Sequence, residues 1–297
     1  MKIKSATIGI DIGATKIVAG FVSKNRKIIK KLKIKTRADK NKITDDLVFL
    51  IKKLDPRNKV KKIGVGIAGQ VDIKSGRLIF SPNMKRLKNF ELVNFLKNKL
   101  KKTINIKVDN DANCFAWGEY IFGAGKKYKN MVGLTLGTGI GCGIVIDGKL
   151  YHGKSFASEA GHIIVDPYKN KCTCGIKGVL EAYSSGKAIE KKYKKITGKN
   201  KTAKEIRKYA LKDKKSFDYK ICKEAGKYLG IGFASIINML DPEIIVVGGS
   251  IAKSNLILNT AKKESKKYIF YKNYKPNIVK SKLGEDAGIL GAALIAQ

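Results

Sequence analysis

Apolar residues follow two different spacings along this chain, and the two spacings alternate. Short runs of β-branched residues that stop at glycines predict strands, whereas apolar residues three and four positions apart predict helices. The predicted strands lie at 7–12, 17–22, 27–35, 62–69, 244–250 and 277–280, on both sides of a turn within 130–150, and in a short hairpin that ends near Phe80. The predicted helices lie at 44–54, with Thr44 as its cap, at 90–100, 113–122, 189–213 and 219–240, between 250 and 277, and from 286. Strands that alternate with helices in this way predict an α/β fold.

Glycine-containing turns follow several of the predicted strands. Gly-Ala-Thr-Lys at 13–16 joins one pair of strands, and Gly-Thr-Gly-Ile-Gly at 137–141 joins a later pair. Backbone N–H groups can approach a phosphate closely where side chains are small, although a single turn of this kind is more often plain hairpin chemistry. The repetition of the design indicates a duplicated lobe. A strand follows Gly141 where a dinucleotide-binding fingerprint requires a helix, so NAD binding is disfavoured. A third turn, at Gly248 and Gly249, is open enough to seat an adenine ring.

Three polar residues at the ends of predicted elements have both a structural and a chemical interpretation. Asp111 lies where a strand passes into a helix, so it either caps the helix or acts as a general base. Asp11 ends the first strand and either belongs to an ordinary turn or holds Mg²⁺ through water. Asn83 follows Pro82 and is either a turn residue or an amide offered to a ligand hydroxyl. The residues alone leave these alternatives open.

The charge of the chain is extreme, with 62 Lys and Arg against 24 Asp and Glu and a formal net charge of +38. Only six of the basic residues are Arg, the side chain that most often reads base edges. The Lys residues are spread over nearly every segment without a dominant patch or interleaved aromatic residues. The excess therefore predicts solvated lysine-rich faces that attract anionic nucleotides, and no specific nucleic-acid partner.

Composition also bounds the class of protein. The 297 residues contain 43% apolar side chains and no run near the ~20 apolar residues of a membrane span. Met1–Lys4 leads directly into the first strand pattern without the features of a signal peptide, so we expect a cytoplasmic protein without a membrane partner. The five Cys are scattered, which argues against a disulfide framework and leaves Cys172 and Cys174 as a suggestive pair.

An ordered set of motifs covers nearly the whole chain and resembles the ROK family of sugar kinases and regulators. The motifs are DIGATK at 11–16, GIAGQVD at 66–72, PN at 82–83, DNDAN at 109–113, GTGIG at 137–141, EAGH at 159–162, CTCGIKG at 172–178 followed by Glu181, and VVGGS at 246–250. The resemblance implies a two-lobed actin-like ATPase (ribonuclease H-like) fold, with duplicated mixed sheets flanked by helices. It places the small N-terminal lobe at 1–111 plus 284–297 and the large C-terminal lobe at 112–283.

The resemblance also implies an activity, the transfer of the γ-phosphoryl group of ATP to a hexose, with glucose as the default acceptor. Fructose, mannose and N-acetylhexosamines are alternatives, and a sugar-sensing regulator is disfavoured because the phosphate hairpin begins as early as Ile8. The implied cofactors are ATP and Mg²⁺, and the implied assembly is a homodimer. The implied sugar ligands are Asn83, Asn110, Asp111, Glu159, His162 and Glu181, with Asp111 as the catalytic base. The implied phosphate, Mg²⁺ and adenosine residues are Asp11, Gly13, Thr15, Lys16, Thr138, Gly139 and Gly249.

The chain departs from the family pattern in two regions. A zinc loop in the family supplies one His and three Cys; His162, Cys172 and Cys174 match, but Val179 occupies the third Cys position. Bound Zn²⁺ would then have three protein ligands and need water or another group as the fourth. Residues 84–87 replace a Leu-Pro-Gly-Trp-like run and Ala68 replaces a frequent Pro, which puts sugar specificity in doubt more than activity.

Overall fold

The computed structural model describes residues 5–100 and 103–297 of the chain. Met1–Lys4, on which the expectation about a signal peptide rests, lie outside the described residues. Within the described ranges, no helix combines the length and the apolar character needed to cross a membrane.

The described strands form two five-stranded sheets and a two-stranded ribbon. They are β1 (Thr7–Ile12), β2 (Lys16–Val22), β3 (Ile28–Lys35), β4 (Lys62–Ile67), β5 (Gln70–Asp72), β6 (Arg77–Phe80), β7 (Asn105–Asn110), β8 (Met131–Leu136), β9 (Ile140–Ile146), β10 (Lys149–Tyr151), β11 (Ile244–Gly248) and β12 (Ile278–Lys280). The first sheet has the order β3-β2-β1-β4-β7; β3, β2 and β1 are antiparallel, whereas β1, β4 and β7 are parallel. The second has the order β10-β9-β8-β11-β12, with β8, β11 and β12 parallel and β9 antiparallel to β10. The two sheets thus have related designs, as the repeated glycine hairpins predicted.

Most of the described α-helices lie where helices were predicted and differ from them mainly at their ends, whereas the short helix at Glu181–Ser184 was not predicted. They are α1 (Lys40–Leu54), α2 (Leu92–Leu100), α3 (Asp111–Phe122), α4 (Glu181–Ser184), α5 (Gly186–Thr197), α6 (Ala203–Tyr209), α7 (Phe217–Leu240), α8 (Asn255–Ser265) and α9 (Asp286–Ile295). The predicted cap of the first helix is wrong. Asp39 caps α1 by accepting the N–H groups of Asn41 and Lys42, while Thr44 lies buried inside the helix and donates its hydroxyl to the carbonyl of Lys40.

The single helix predicted at 189–213 is also wrong, because the chain forms two shorter helices there. Gly198 ends α5 in the left-handed conformation, with φ of 71°, and Thr202 then starts α6 with a reciprocal capping box to Glu205. No apolar residue lies between Ile196 and Ala203, so the apolar spacing is also interrupted at this junction. The glycine and the Thr-x-x-Glu pattern were the local signals that separate the helices.

The chain folds into two compact units, each with its own core. Unit 1 comprises 1–127, 143–157 and 282–297, and unit 2 comprises 128–142 and 158–281, so that the division falls inside β9. In unit 1, Ile10, Val65 and Leu47 are fully buried where α1 covers the first sheet. In unit 2, Val246 of β11 and Phe233 of α7 are fully buried. Residues 112–127 and 143–157 pack within unit 1, whereas the predicted lobe boundary assigned them to the C-terminal lobe; the lobes themselves stay a prediction.

Candidate active site

The predicted phosphate turn of the first hairpin is a tight connection between β1 and β2. The N–H of Gly13 donates to the carbonyl of Lys16 at 3.0 Å, and Thr36 donates its hydroxyl to the carbonyl of Gly13 at 2.7 Å. The Gly13 N–H is therefore used inside the hairpin, so a ligand would be left with other groups of the tip, such as the exposed Thr15. The ammonium group of Lys16 pairs with Glu285 at 3.0 Å in an exposed ion pair, which is easily exchanged for another anion.

Asp11 lies beside this turn at the end of β1. Burial raises the pKa of its carboxyl group to about 6; the positive charge of Lys16 lowers this pKa and the negative charge of Glu285 raises it. A nearby cation stabilises the ionised form of a carboxylate in such surroundings, because it offsets the cost of holding the negative charge away from water. An oxygen ligand at the tip of the turn thus has the chemistry that Mg²⁺ prefers.

Asn110 and Asp111 form the junction between β7 and α3, and the two residues have different hydrogen-bonding roles there. Asn110 is the helix cap, since its Oδ1 accepts the N–H groups of Ala112 at 2.8 Å and of Asn113 at 3.2 Å. Its Nδ2 donates to the carbonyl of Gly69 at 2.9 Å, which ties the cap to the end of β4. Asp111 is the first residue of α3 and is only partly buried; its Oδ1 accepts the N–H of Ala112 at 3.0 Å. Capping, the structural interpretation of Asp111, is thus performed by its neighbour.

Asn83 lines an open cavity of about 500 Å³ in unit 1. It belongs to the turn in which Met84 donates its N–H to the carbonyl of Ser81 at 3.2 Å. The cavity is also lined by charged side chains, namely Arg37, Asp39, Lys42, Lys85 and Arg86. A volume of this size is within the range of ligand pockets, ~300–1,000 Å³. Residues 84–86, where the chain departs from the family pattern, therefore line the same cavity as the predicted sugar ligand.

The second glycine turn, in unit 2, is held by a carboxylate and by the start of a helix. Glu181 accepts the N–H of Ile140 through Oε2 at 2.7 Å. Gly186 and Lys187 of α5 donate their N–H groups to the carbonyls of Gly137 at 2.8 Å and Thr138 at 3.3 Å. A β-carbon at Gly139 would lie 2.4 Å from Oε2 of Glu181, so the carboxylate occupies the space that a side chain would take. The structure thus brings Thr138 and Gly139 together with Glu181.

Glu159 and His162 form a second polar pair in unit 2. Nδ1 of His162 lies 3.2 Å from Oε2 of Glu159, and this hydrogen bond is the main reason that the pKa of His162 is raised to about 9. The Sγ atom of Cys172 donates to Oε1 of Glu181 at 3.3 Å, which links the cysteine loop to Glu181. Gly249 follows β11 with φ of 88° and abuts the end of β8. In unit 2, hydrogen bonds thus join Glu159 to His162 and Glu181 to the second glycine turn.

Sequence reasoning overlooked His152, which lies in unit 1 just after β10. Its Nε2 atom lies 2.7 Å from Oδ2 of Asp109, the residue that precedes Asn110. The chain has only two histidines, so a single His directly after a hairpin strand was the signal available. Nothing in the local spacing points to Asp109, which lies 43 residues away.

The sequence model of the ROK family matches residues 7–297. The chain belongs to the ROK family. A glucokinase of Thermotoga maritima is 34% identical over 98% of this chain and 97% of its own length. An N-acetyl-D-glucosamine kinase of Aliivibrio salmonicida is 32% identical over 97% of this chain and 98% of its own length, and a xylose repressor of Bacillus spizizenii is 30% identical over 97% of this chain and 76% of its own length.

Solved structures agree with this family. The crystal structure of a ROK family glucokinase from Streptomyces griseus in complex with glucose and AMPPNP has a TM-score of 0.88 and 30% identity, over 98% of this chain and 99% of that one. The expected fold class is therefore confirmed for this ROK protein: a mixed α/β, actin-like ATPase fold with two sheets flanked by helices.

The zinc loop of this ROK protein retains three converging donors. The ligand atoms of His162, Cys172 and Cys174 all lie within 4.8 Å of one another, and Val179 is fully buried without offering a donor. The hydrogen bond from Nδ1 to Glu159 would leave Nε2 of His162 for an ion, as in the carboxylate–histidine pairs of zinc sites. Burial raises the pKa of the Cys172 thiol to about 11. Burial also acts to raise the pKa of the Cys174 thiol, but the N–H of Ile176 and the contacts with Cys172 and His162 lower this pKa below its usual value. These donors fit Zn²⁺ with a fourth position open to water.

Proposed function

We propose that this chain is an ATP-dependent sugar kinase that transfers the γ-phosphoryl group of ATP to a hexose hydroxyl, with glucose as the preferred acceptor. The observation that carries the proposal is the position of Asp111. Asp111 is partly exposed and follows the carboxyl end of β7, a half-buried edge strand that is parallel to β4. Open α/β sheets bind their ligands at the carboxyl ends of their strands. Asn110 is the residue that caps the helix, so capping does not account for Asp111 at this junction.

In the proposed reaction, Asp111 accepts the proton of the sugar hydroxyl as the hydroxyl oxygen attacks the γ-phosphorus. The bond from the γ-phosphorus to the bridging oxygen breaks, and ADP leaves with the electron pair of that bond. Phosphoryl transfer needs alignment and charge stabilisation more than covalent help, so a positioned carboxylate is sufficient. Asn110 holds this alignment and keeps one amide hydrogen for a sugar hydroxyl, since its other contacts are with Gly69 and the helix.

The polar groups of unit 2 are proposed as further sugar ligands. Glu159 and Glu181 offer charged acceptors, which suit the hydroxyl groups of a sugar. His162, whose Nδ1 pairs with Glu159, would contact the sugar through Nε2 only where that atom does not hold an ion. The hydrogen bond from Ile140 fixes Glu181 in one orientation, which reduces the cost of ordering it on binding. Asn83 is also proposed as a sugar ligand.

For the donor, we propose that Asp11, Gly13, Thr15 and Lys16, with Thr138 and Gly139, contact the phosphates and that Gly249 contacts the adenosine. Lys16 would exchange its exposed pairing with Glu285 for a phosphate oxygen. Mg²⁺ bound with ATP supplies neutralisation of phosphate charge, and Asp11 is the carboxylate that would hold it through water. The homodimer and the cytoplasmic compartment remain predictions.

The identity of the sugar is the finer part of the proposal. Relatives named for glucose and for N-acetyl-D-glucosamine are similarly close, at 34% and 32% identity. Residues 84–86 line the cavity around Asn83 and differ from the family pattern, so we propose that they set the preference among hexoses. Glucose comes first because the similar glucokinase structure holds glucose and a nucleotide analogue.

The test is ATP-dependent ADP release with glucose, mannose, fructose, N-acetylglucosamine and N-acetylmannosamine. Asp111→Asn is expected to fold and to bind sugar while its turnover falls by ~10² or more, because an amide cannot accept the proton. Asp45→Asn is the control, since Asp45 is an exposed carboxylate that pairs with Lys99 and should leave turnover unchanged. Native turnover retained in Asp111→Asn would refute the role of the base. Sugar binding without turnover by the native chain would instead favour a sensor, a function suggested by the similarity to the xylose repressor.

A further inference from the structure

Asp109 is a buried carboxylate directly behind the proposed catalytic turn. It is only 4% exposed, and each of its oxygens has a partner. Oδ1 accepts the N–H of Asn110 at 2.7 Å and the side-chain amide of Asn113 at 2.8 Å, and Oδ2 contacts Nε2 of His152 at 2.7 Å. A carboxylate held away from water requires such a complete set of donors, because each missing one leaves charge uncompensated. His152 is the member of this set that can also carry a positive charge.

The β9–β10 hairpin brings His152 to this position from a distant part of the chain. Gly143 of β9 lies against the first turn of α3, where a β-carbon would come within 2.7 Å of the carbonyl of Ala112. Strand β10 ends at Tyr151, and His152 follows in a turn that its carbonyl closes by accepting the N–H of Ala157 at 3.2 Å. Residues 143–152 of this hairpin and the proposed catalytic turn are thus packed together within unit 1.

The contacts of Asp109 reach both sides of Asp111. One runs to the backbone of Asn110 on the N-terminal side, and another to the side chain of Asn113 on the C-terminal side. Movement of Asp109 would therefore move the peptide that carries Asp111. Misplacement of a reacting group by about 1 Å can cost ~10² in rate, so a contact that fixes Asp109 is able to influence catalysis without touching the substrate.

His152 is a cationic partner of Asp109 when its ring is protonated. The hydrogen bond with Asp109 raises the pKa of His152, burial opposes this, and the charge of Asp109 adds to it. The charges of Asp109, Asp11 and Asp111 also act on the buried thiol of Cys114 in α3; burial, followed by these charges, raises the pKa of this thiol well above its usual value. A protonated His152 thus offsets one of several carboxylates next to the proposed base.

We propose that His152 is a positioning residue for the proposed phosphoryl transfer, holding Asp109 and, through Asp109, the Asn110–Asp111 turn. This inference rests on the proposed function, in which Asp111 is the base. The ring both donates a hydrogen bond to Asp109 and, when protonated, balances its charge. Neither role requires contact with the sugar or with ATP.

The first experiment compares His152→Ala and His152→Gln with the native chain over pH 6–9, with sugar and ATP each varied. His152→Ala is expected to lower kcat by ~10–10²-fold with little change in the KM of ATP, because the turn is loosened while the donor site is intact. His152→Gln keeps a neutral donor, so its deficit should be largest near pH 6 and should shrink as the native His152 loses its proton. In the double variant Asp109→Asn/His152→Ala, kcat should be no lower than in Asp109→Asn, because the two residues act in series. A purely structural role would lower the melting temperature without changing kcat per folded molecule or its pH profile, and that outcome would overturn the proposal.

The second measurement does not depend on activity. With only two histidines in the chain, their ring signals in proton NMR can be assigned with His152→Gln. The pKa of His152 is expected above 6.5 in the native chain and lower in Asp109→Asn. An unchanged value would overturn the Asp109–His152 pair itself. Absence of turnover with every sugar, with this pair intact, would instead remove the proposed function and with it the positioning role.

Discussion

Gly139→Ala is the sharpest perturbation of the second glycine turn. The added methyl group would lie 2.4 Å from Oε2 of Glu181, well inside the distance at which a side chain must move. If the carboxylate withdraws to an ordinary van der Waals contact, it loses the 2.7 Å hydrogen bond from the N–H of Ile140. A hydrogen bond to a charged group contributes ~1.5–3 kcal/mol, which corresponds to ~10–150-fold in an equilibrium constant. Because Glu181 is partly exposed, the expected loss of interaction free energy lies toward the lower end of this range.

The expected result is a drop of ~10-fold or more in kcat/KM for the sugar, measured by ADP release with the sugar varied at saturating ATP. Gly137→Ala is the matched control, because a β-carbon there meets no atom within 4 Å although the residue lies two positions away in the same turn. Melting temperatures of both variants separate loss of fold from loss of binding. Equal kcat/KM values for the two variants would refute the argument that Glu181 must sit against this turn to bind sugar.

Two further variants test the proposed Mg²⁺ carboxylate and the zinc loop. Burial raises the pKa of Asp11 from 3.8 to about 6, so ionisation of Asp11 destabilises the folded state above pH 3.8, and this destabilisation is complete above pH 6. Asp11→Asn removes the ionisable group, so the variant should raise the melting temperature by an amount that grows as the pH goes from 4 to 7. The same variant should weaken Mg²⁺-dependent activity, and an unchanged melting temperature at pH 7 would contradict the burial argument. Val179→Cys should tighten zinc binding, because a third thiolate completes a tetrahedral set of ligands. The affinity is measured in competition with a chromogenic chelator, with Val179→Ala as control. Equal zinc affinities of the two variants would mean that position 179 does not face the ion.

Much of the fold was predictable because its signals are local. The run of residues 7–12 followed by Gly13 marks a buried strand and its turn, and the structure has β1 at those residues. Helix ends were less predictable, since the capping side chain is chosen by the path of the chain as it enters the helix. Asp39 rather than Thr44 caps α1, and Asn110 rather than Asp111 caps α3. The second of these differences matters for the proposed function, because capping by Asn110 removes the structural explanation for Asp111.

The site could be predicted as a set of residues but not as a network. Motifs located Glu181 and the glycine turn separately, yet the hydrogen bond that joins them spans 41 residues of sequence. The contact between Asp109 and His152 spans 43, and it involves a histidine for which the motifs offer no role. Such contacts depend on how the β9–β10 hairpin and α3 pack, which no spacing rule encodes. In the proposed reaction these contacts would orient the reacting groups, so the sequence indicates the candidate chemistry while the fold decides how firmly each group is held.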